Sequence, residues 1–378
     1  MQFTCSVIVA TLTLTGTIFA DTMNVPSEYE TIQGAIDASS NGDVINIAAG
    51  TYNEFDISPG GRAITIQGTL NPDGTLATTI DAQQDYGAIF KITDGESNAT
   101  LIKDLVITGG IGTLDGLYRY GGGIYCNGSS PTITGCAISE NTANDFGGGI
   151  CCRSNSNPII TKCTILNNTA DYGGGIYCHS SSSPTITDCV ISSNTANLDG
   201  GSIYCWDTSS PSITSCVITS NIANSGGGIY CISNCDPIID NCTITENSAI
   251  PGSQVAHGGG IACIGNSSPN ITNCVISNND ADGAGGILCD QSNPIIVDCV
   301  IENNACQFRG GGLYIKSSDP SLVSCTIASN TSGDQGGGIS CNGSSPTITD
   351  CTIRDNSGLE GGGLWVYQTG SPIVSGSL

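Results

Sequence analysis

The sequence predicts an all-β chain wound as a parallel β-helix, and three observations carry that expectation. The first is a repeat. A glycine cluster followed by an aliphatic residue recurs at Ile124, Ile150, Ile176, Ile203, Ile229, Ile261, Ile287, Leu313, Ile339 and Leu364, at intervals of 26, 26, 27, 26, 32, 26, 26, 26 and 25 residues. A period in this range marks a solenoid, whose unit is too small to bury a core alone and stacks on its neighbours. The second is the pattern inside the unit. Between Gly121 and Asn141 there are three short alternating apolar pulses, 124–126, 132–134 and 136–138. Alternation and β-branching are strand signals, and Gly, Asn, Ser and Pro interrupt each pulse before a helix could complete two turns. Three short strands per rung of about 26 residues, repeated without reversal, stack into three parallel sheets. The third is an asparagine five residues after the second cysteine of each unit: Asn141, Asn168, Asn194, Asn221, Asn247, Asn279, Asn304, Asn330 and Asn356. Inward amides that bond the rungs above and below explain this regularity. A row of ligand-binding amides is the alternative.

Residues 1–20 are apolar or hydroxylic without a charged side chain. They read as a secretory signal peptide and are short for a stable membrane span. No second apolar segment follows, so the mature chain is expected without a transmembrane segment, secreted, extracellular or on the cell surface. From Val25 to Ser39, Ser27 and Glu30 have capping-box spacing, and Tyr29, Ile32 and Ile36 share a helical face. One amphipathic helix is expected there, covering the open end of the first rung. Residues 53–120 read as irregular rungs, with strand-like segments at 63–66, 88–92 and 101–107. Residues 21–378 are taken as one domain, with the cap and irregular rungs at 21–120 and regular rungs at 121–378. About thirteen rungs at about 4.8 Å each make a rod about 60 Å long. The last unit stops partway round a rung, which reads as a fragment or as a rung that meets a partner.

Nine basic residues against 33 acidic ones give a net charge of −24, which excludes nucleic acid as a partner. The charge suits solubility, or attraction of Ca²⁺ and basic partners. Only 5% of residues are aromatic, which argues against aromatic platforms for sugar rings. Of the 21 cysteines, Cys126, Cys152, Cys178, Cys205, Cys231, Cys263, Cys289 and Cys341 form one column. Cys136, Cys163, Cys189, Cys216, Cys242, Cys274, Cys299, Cys325 and Cys351 form a second. Stacked free thiols and scattered disulfides are both compatible with that spacing. No CxxC pair or Cys/His cluster signals a metal site. Cys151, Cys235 and Cys306 lie off the columns and are the candidates for special chemistry.

The glycine clusters lack the GxxxxGK[ST] pattern and the helix that a phosphate loop needs. Acids precede several of them, at Asp145, Asp171, Asp199, Asp282, Asp334 and Glu360. Stacked, they would form a calcium-binding edge or simply a solvated polar edge. One unit is longer than the rest, through Ser248 to His257. A protruding loop on a rigid rod is where binding concentrates, so His257 joins the candidates.

The pairing of GGGI with an aliphatic-x-x-Asn four-mer, as at 138–141 and 327–330, resembles the repeats of polymorphic outer membrane proteins. The run VPSEYETIQGAI followed by GDVINIAAGTY looks like the start of secreted β-helix proteins of the pectate-lyase-like class. The resemblance implies a right-handed parallel β-helix. That class includes polysaccharide lyases and hydrolases, which implies calcium-binding carboxylates with a basic proton acceptor, or paired acid and base carboxylates. Neither constellation is legible in the repeats, and Arg62, Arg119, Arg153, Arg309 and Arg354 share no motif. The sequence therefore leans to a non-catalytic, adhesin-like binding rod with a polysaccharide or cell-surface partner, and with no cofactor beyond calcium at the acidic edge. The alternative is a polysaccharide lyase or glycoside hydrolase, with its site in residues 53–120 or beside the 248–257 loop.

Overall fold

The computed structural model describes residues 20–85, 87–250 and 257–377. The expected leader apart from Ala20, Cys5 and the centre of the 248–257 loop lie outside the described residues. In the unit that begins at Gly121, a first strand spans Ile124–Asn127, a second Thr132–Thr134 and a third Ala137–Ser139. Their copies stack into parallel sheets of 11, 14 and 12 strands. Register is one-to-one. Ile124 pairs with Ile150 and Cys126 with Cys152 in the first sheet, Ile133 with Ile160 in the second, and Ile138 with Ile165 in the third. Strand alternation turns these residues into one core that runs from Val25 to Cys351, and each fully buried Ile contributes roughly 2 kcal/mol.

A fourth sheet of seven short strands, from Thr169–Tyr172 to Thr331–Ser332, adds a side to the three that were expected. It follows the asparagine corner, where Ala170, Ala196, Ala223, Ala249 and Ala281 turn inward and are buried. Side chains this small let the chain stay extended for two more residues before the glycines. The helix also differs from expectation. It spans Ile32–Ala38 and is capped by Thr31, whose Oγ1 accepts from the Gly34 N–H at 3.0 Å, rather than by a Ser27–Glu30 box. Glu54 also accepts the N–H groups of Ile32 and Gln33, at 2.8 and 3.1 Å. That places a carboxylate at the positive end of the helix. Ile32, Ala35 and Ile36 enter the core.

All twenty described cysteines are free and buried. The second column donates its thiols to carbonyls two residues back, as in Cys163 Sγ to Thr161 O at 3.3 Å. The three off-column cysteines occupy other columns instead of reactive positions. Cys151 stands between Tyr125 and Tyr177 on the outer face of the first sheet. Cys306 pairs with Ala281 and Ser332 in the fourth. Cys235 sits in a serine ladder, in which each backbone N–H donates to the next Oγ, as from Ser156 to Ser182 and from Cys235 to Ser267, both at 3.1 Å.

The asparagines form a continuous inward ladder. Asn194 donates from its backbone N and its Nδ2 to Asn221 Oδ1, at 2.9 and 3.0 Å, and Asn221 does the same to Asn247 Oδ1, at 3.1 and 2.9 Å. Asn221 Nδ2 also satisfies Ile191 O at 3.0 Å. Each amide therefore closes its own corner and ties it to the next rung. Replacing Asn221 by Ala takes the amide partner from the Ile191 carbonyl and from the Asn194 backbone N–H, and one of two acceptors from Asn194 Nδ2, at roughly 1–3 kcal/mol for each buried group left unpaired before relaxation. A loss of about 3 kcal/mol is expected in denaturant unfolding of Asn221→Ala, against less than about 0.5 kcal/mol for the exposed Asn197→Ala. Equal effects would show that the ladder does not hold the corners.

Candidate functional site

On the first sheet, the second and fourth residues of each strand face outward. Beside them runs a third column, the residue just before each glycine cluster. Tyr120 pairs with Phe146, Phe146 with Tyr172, Tyr172 with Asp199 and Asp199 with Ser225; further along, His257 pairs with Gly283, and Arg309 with Gln335. The glycine that follows takes a left-handed backbone, at φ 69° for Gly258 and 72° for Gly310.

One unit shifts this frame. In Gly283-Ala284-Gly285-Gly286 the glycine enters the side-chain column and Ala284 takes the left-handed position at φ 60°. Among the described residues, Ala284 is the only alanine with positive φ, a conformation that costs an L-residue about 1 kcal/mol. The exchange makes room, because a Cβ on Gly283 would lie 2.6 Å from His257 Nδ1. Without it, His257 Nδ1 rests 3.2 Å from Gly283 O. Donation from Nδ1–H to that carbonyl leaves Nε2 with its lone pair open. Burial is the largest influence on the imidazole and pulls its pKa below the ordinary 6.5; the bond to Gly283 O opposes it next, Lys316 acts with burial, and Asp290 and Asp282 oppose it least.

His257 borders a hollow of about 420 Å³. Phe308, Arg309 and Asp334 continue its wall, and Leu288, Asp290, Tyr314, Lys316 and Asn342 make its floor. The Tyr314 ring lies 6.1 Å from the imidazole. Its phenol oxygen accepts from Arg309 Nη1 and from Asn342 Nδ2, both at 3.3 Å. Lys316 Nζ donates to Asp290 Oδ2 at 2.8 Å, and that bond raises the ammonium's pKa. The other carboxylate oxygen of Asp290 is buried without a partner. A neutral imidazole, a phenol, two cations and two carboxylates thus face one space.

Of the residues expected from sequence, His257 and Asp334 line this hollow, and Asp282 acts on His257 electrostatically. The others stand apart. Asp145 accepts from the Arg119 N–H at 2.8 Å, Asp171 from Asn197 Nδ2 at 3.0 Å, and Glu360 from Gln335 Nε2 at 3.3 Å. Asp199 is pushed up to about 6, chiefly by burial. Asp199 and Glu360 belong to the column before the glycines, and the other four acids sit one position earlier, so the six do not form one edge. Among the described residues no three His, Cys, Asp or Glu side chains group as a metal site.

Sequence reasoning missed Asp290, Tyr314, Lys316 and Asn342, and took Arg309 as scattered. The displaced glycine at 283 was a usable signal. The low aromatic content also misled, because the rings are concentrated on this face. Tyr177, Tyr204 and Tyr230 stack at 5.5 and 5.1 Å between centroids, and Phe146 joins Tyr172 at 5.6 Å. The stack stops at Ala262 and Leu288, next to the hollow, and an aromatic returns at Tyr314.

The profile of the family described as the right handed beta helix region matches residues 79–223 and 201–378. A comparison with curated proteins gives no match. Among solved structures, the catalytic domain of a GH87 α-1,3-glucanase in complex with nigerose is 16% identical with a TM-score of 0.58, over 95% of this chain and 69% of that one. The A-module of an Azotobacter vinelandii mannuronan C-5 epimerase is 14% identical with a TM-score of 0.49, over 92% and 93%. A mannuronic acid specific family 6 polysaccharide lyase from human gut microbiota is 10% identical with a TM-score of 0.40, over 92% and 83%. At these identities the likeness is one of fold.

The chain has two histidines, and burial is the first cause lowering both, His179 as well as His257. A net charge of −24 acts the other way, since it favours imidazolium. NMR titration should place both midpoints below 6.5, with the His257 proton on Nδ1. A folded pKa below the unfolded one means that the stability from keeping the ring neutral is present above pH 6.5 and is lost as the pH falls below it. A His257 midpoint above 6.5 would remove the neutral base from the hollow.

Proposed function

The chain belongs to the right-handed β-helix family, and from that premise we propose a polysaccharide-acting protein, exported from the cell, whose hollow beside His257 takes an acidic, uronate-containing glycan. The observation that carries the reading is the meeting of a neutral imidazole, a phenol, two cations and two carboxylates, Asp290 paired with Lys316 and Asp334 in the wall. The chain has only nine Lys and Arg, and two of them line this one space. Asp290 and Asp334 balance them in charge, and the N–H donors of Arg309 and Lys316 are what suit a carboxylate ligand there.

The same set suits elimination. His257 Nε2 takes the proton from the carbon that bears the uronate carboxylate. Negative charge then grows on that carboxylate, where Arg309 and Lys316 stabilise it; charges fixed before the reaction need no reorganisation during it. The Tyr314 oxygen already accepts two hydrogen bonds, so its own proton is directed elsewhere and can pass to the leaving glycosidic oxygen. The bond between C4 and the glycosidic oxygen breaks, a C4–C5 double bond forms, and neither water nor an oxidant is consumed. Asp290 orients Lys316.

Hydrolysis fits the residues less well. It calls for a carboxylic acid held protonated opposite a carboxylate. Burial raises Asp199 to about 6 and raises Asp280 as well, but Asp199 is three rungs from Asp290 and Asp280 does not line the hollow. The non-catalytic rod expected from the sequence would bind the same glycan but release no product.

The test incubates the purified chain with alginate, polygalacturonate and a neutral glucan, following the ultraviolet absorbance of the unsaturated product. Cleavage of a uronate polymer is expected, with His257→Gln lowering kcat about 10²- to 10⁴-fold and Tyr314→Phe also lowering kcat. Reducing ends released from the neutral glucan alone, unaffected by His257→Gln, would replace elimination by hydrolysis. Binding without product would return the rod reading.

A further inference from the structure

The fourth-residue column of the first sheet continues past the hollow toward the N-terminal end. From Asp290 it passes through Ile264 and Ile232 to Trp206, each pair in direct register. Beyond them lies His179, whose ring stacks on the indole with centroids 4.7 Å apart. One face of Trp206 is therefore covered. On the other side its partner is the shorter Ile232, so the outer part of that face is bare, and Trp206 remains 38% exposed. The bare face looks along the rod toward the hollow.

Polar groups flank the indole. Asp207, the next residue, has a side chain 55% exposed whose Oδ2 lies 3.7 Å from His179 Nε2, and Ser180 Oγ donates to it at 3.4 Å. Asp207 and Ser180 thus hold the imidazole on the covered side, and the bare indole face opposite matches a pyranose ring. The apolar C–H face of the sugar meets the aromatic surface. The two aliphatic residues between Trp206 and Asp290 offer no competing charge. Three rung steps separate Trp206 from Asp290, about 14 Å at about 4.8 Å per rung, a length of a few sugar units.

We propose that Trp206, with His179 stacked behind it, is a distal sugar subsite for the same glycan whose reacting unit lies in the hollow. This rests on the reading of the hollow as a glycan site. The subsite adds binding for chains long enough to span both places, and nothing for shorter ones.

Two readouts separate the two ideas. Trp206 and Trp365 are the chain's only tryptophans, so Trp365→Phe leaves Trp206 as the sole indole reporter. In that background, long alginate or polygalacturonate chains are expected to change the fluorescence, and a trimer is not. In the otherwise native chain, Trp206→Ala is expected to raise the KM for long chains about tenfold and so collapse the difference between long and short substrates. Trp206→Tyr restores part of it, which a folding defect would not. Cleavage with no fluorescence change and with the long-chain KM intact in Trp206→Ala overturns the subsite and leaves the hollow standing. A fluorescence change without cleavage of any polymer keeps the subsite and removes the elimination chemistry. Absence of both overturns both.

Discussion

Register between rungs is the constraint on which everything else depends. Inward Ile and Cys mostly meet their own kind one rung away, with Ile315 standing between Cys289 and Cys341, and each Asn amide in the ladder bonds both its own corner and the next one. A buried amide left without its partner costs more than most surface changes, so the inward columns have almost no freedom. The outward columns contribute little to the core and can vary from rung to rung. Function is therefore written on the outside of a repeat whose inside hardly changes, and the column before the glycines shows it, passing from aromatic residues through Asp199 and Ser225 to His257 and Arg309.

This division explains what could be read in the sequence. The period, the inward Ile, Cys and Asn columns and the parallel stacking were legible, because each is enforced at every rung. The start of the helix was misplaced, since Thr31 and Glu54 together outcompete the Ser27–Glu30 spacing, and Glu54 arrives from beyond the first rung. The fourth strand was missed because in most units it is two residues long and its inward residue is usually Ala, a weak strand signal. The site was the least legible part. His257, Asp290 and Asn342 span more than three units, and only stacking brings them to one face. Averages hid the rest: a 5% aromatic content says nothing about rings gathered on a single surface, and a net charge of −24 says nothing about two cations in one hollow.

That acidic surface does not forbid an acidic ligand. Exposed charges are screened over about 8 Å at physiological ionic strength, so a polyanion at the hollow responds chiefly to the groups that line it. Arg309 is tied to Tyr314, and Lys316 to Asp290. The two cations are thus held in place by the same contacts that orient the phenol and occupy one oxygen of the carboxylate.

Gly283 and Ala284 show how a site is cut into such a repeat. Elsewhere in the regular rungs the left-handed turn goes to glycine and the preceding residue carries a side chain, an arrangement with no strain and no hollow. Exchanging the two roles strains Ala284 and removes a side chain from the wall, and the vacated space receives the His257 imidazole against a backbone carbonyl. The cost is small because the neighbouring rungs hold the turn on both sides. A solenoid can absorb a local fault of this kind wherever its inward columns stay intact, since each unit depends only on its neighbours. The break in the aromatic stack at Ala262 and Leu288 follows the same logic, because a small residue in an outward column opens the surface without touching the core. The hollow therefore follows from the exchange at Gly283 and Ala284 in the wall and from Leu288 in place of an aromatic ring in the floor, made where the fold tolerates them best.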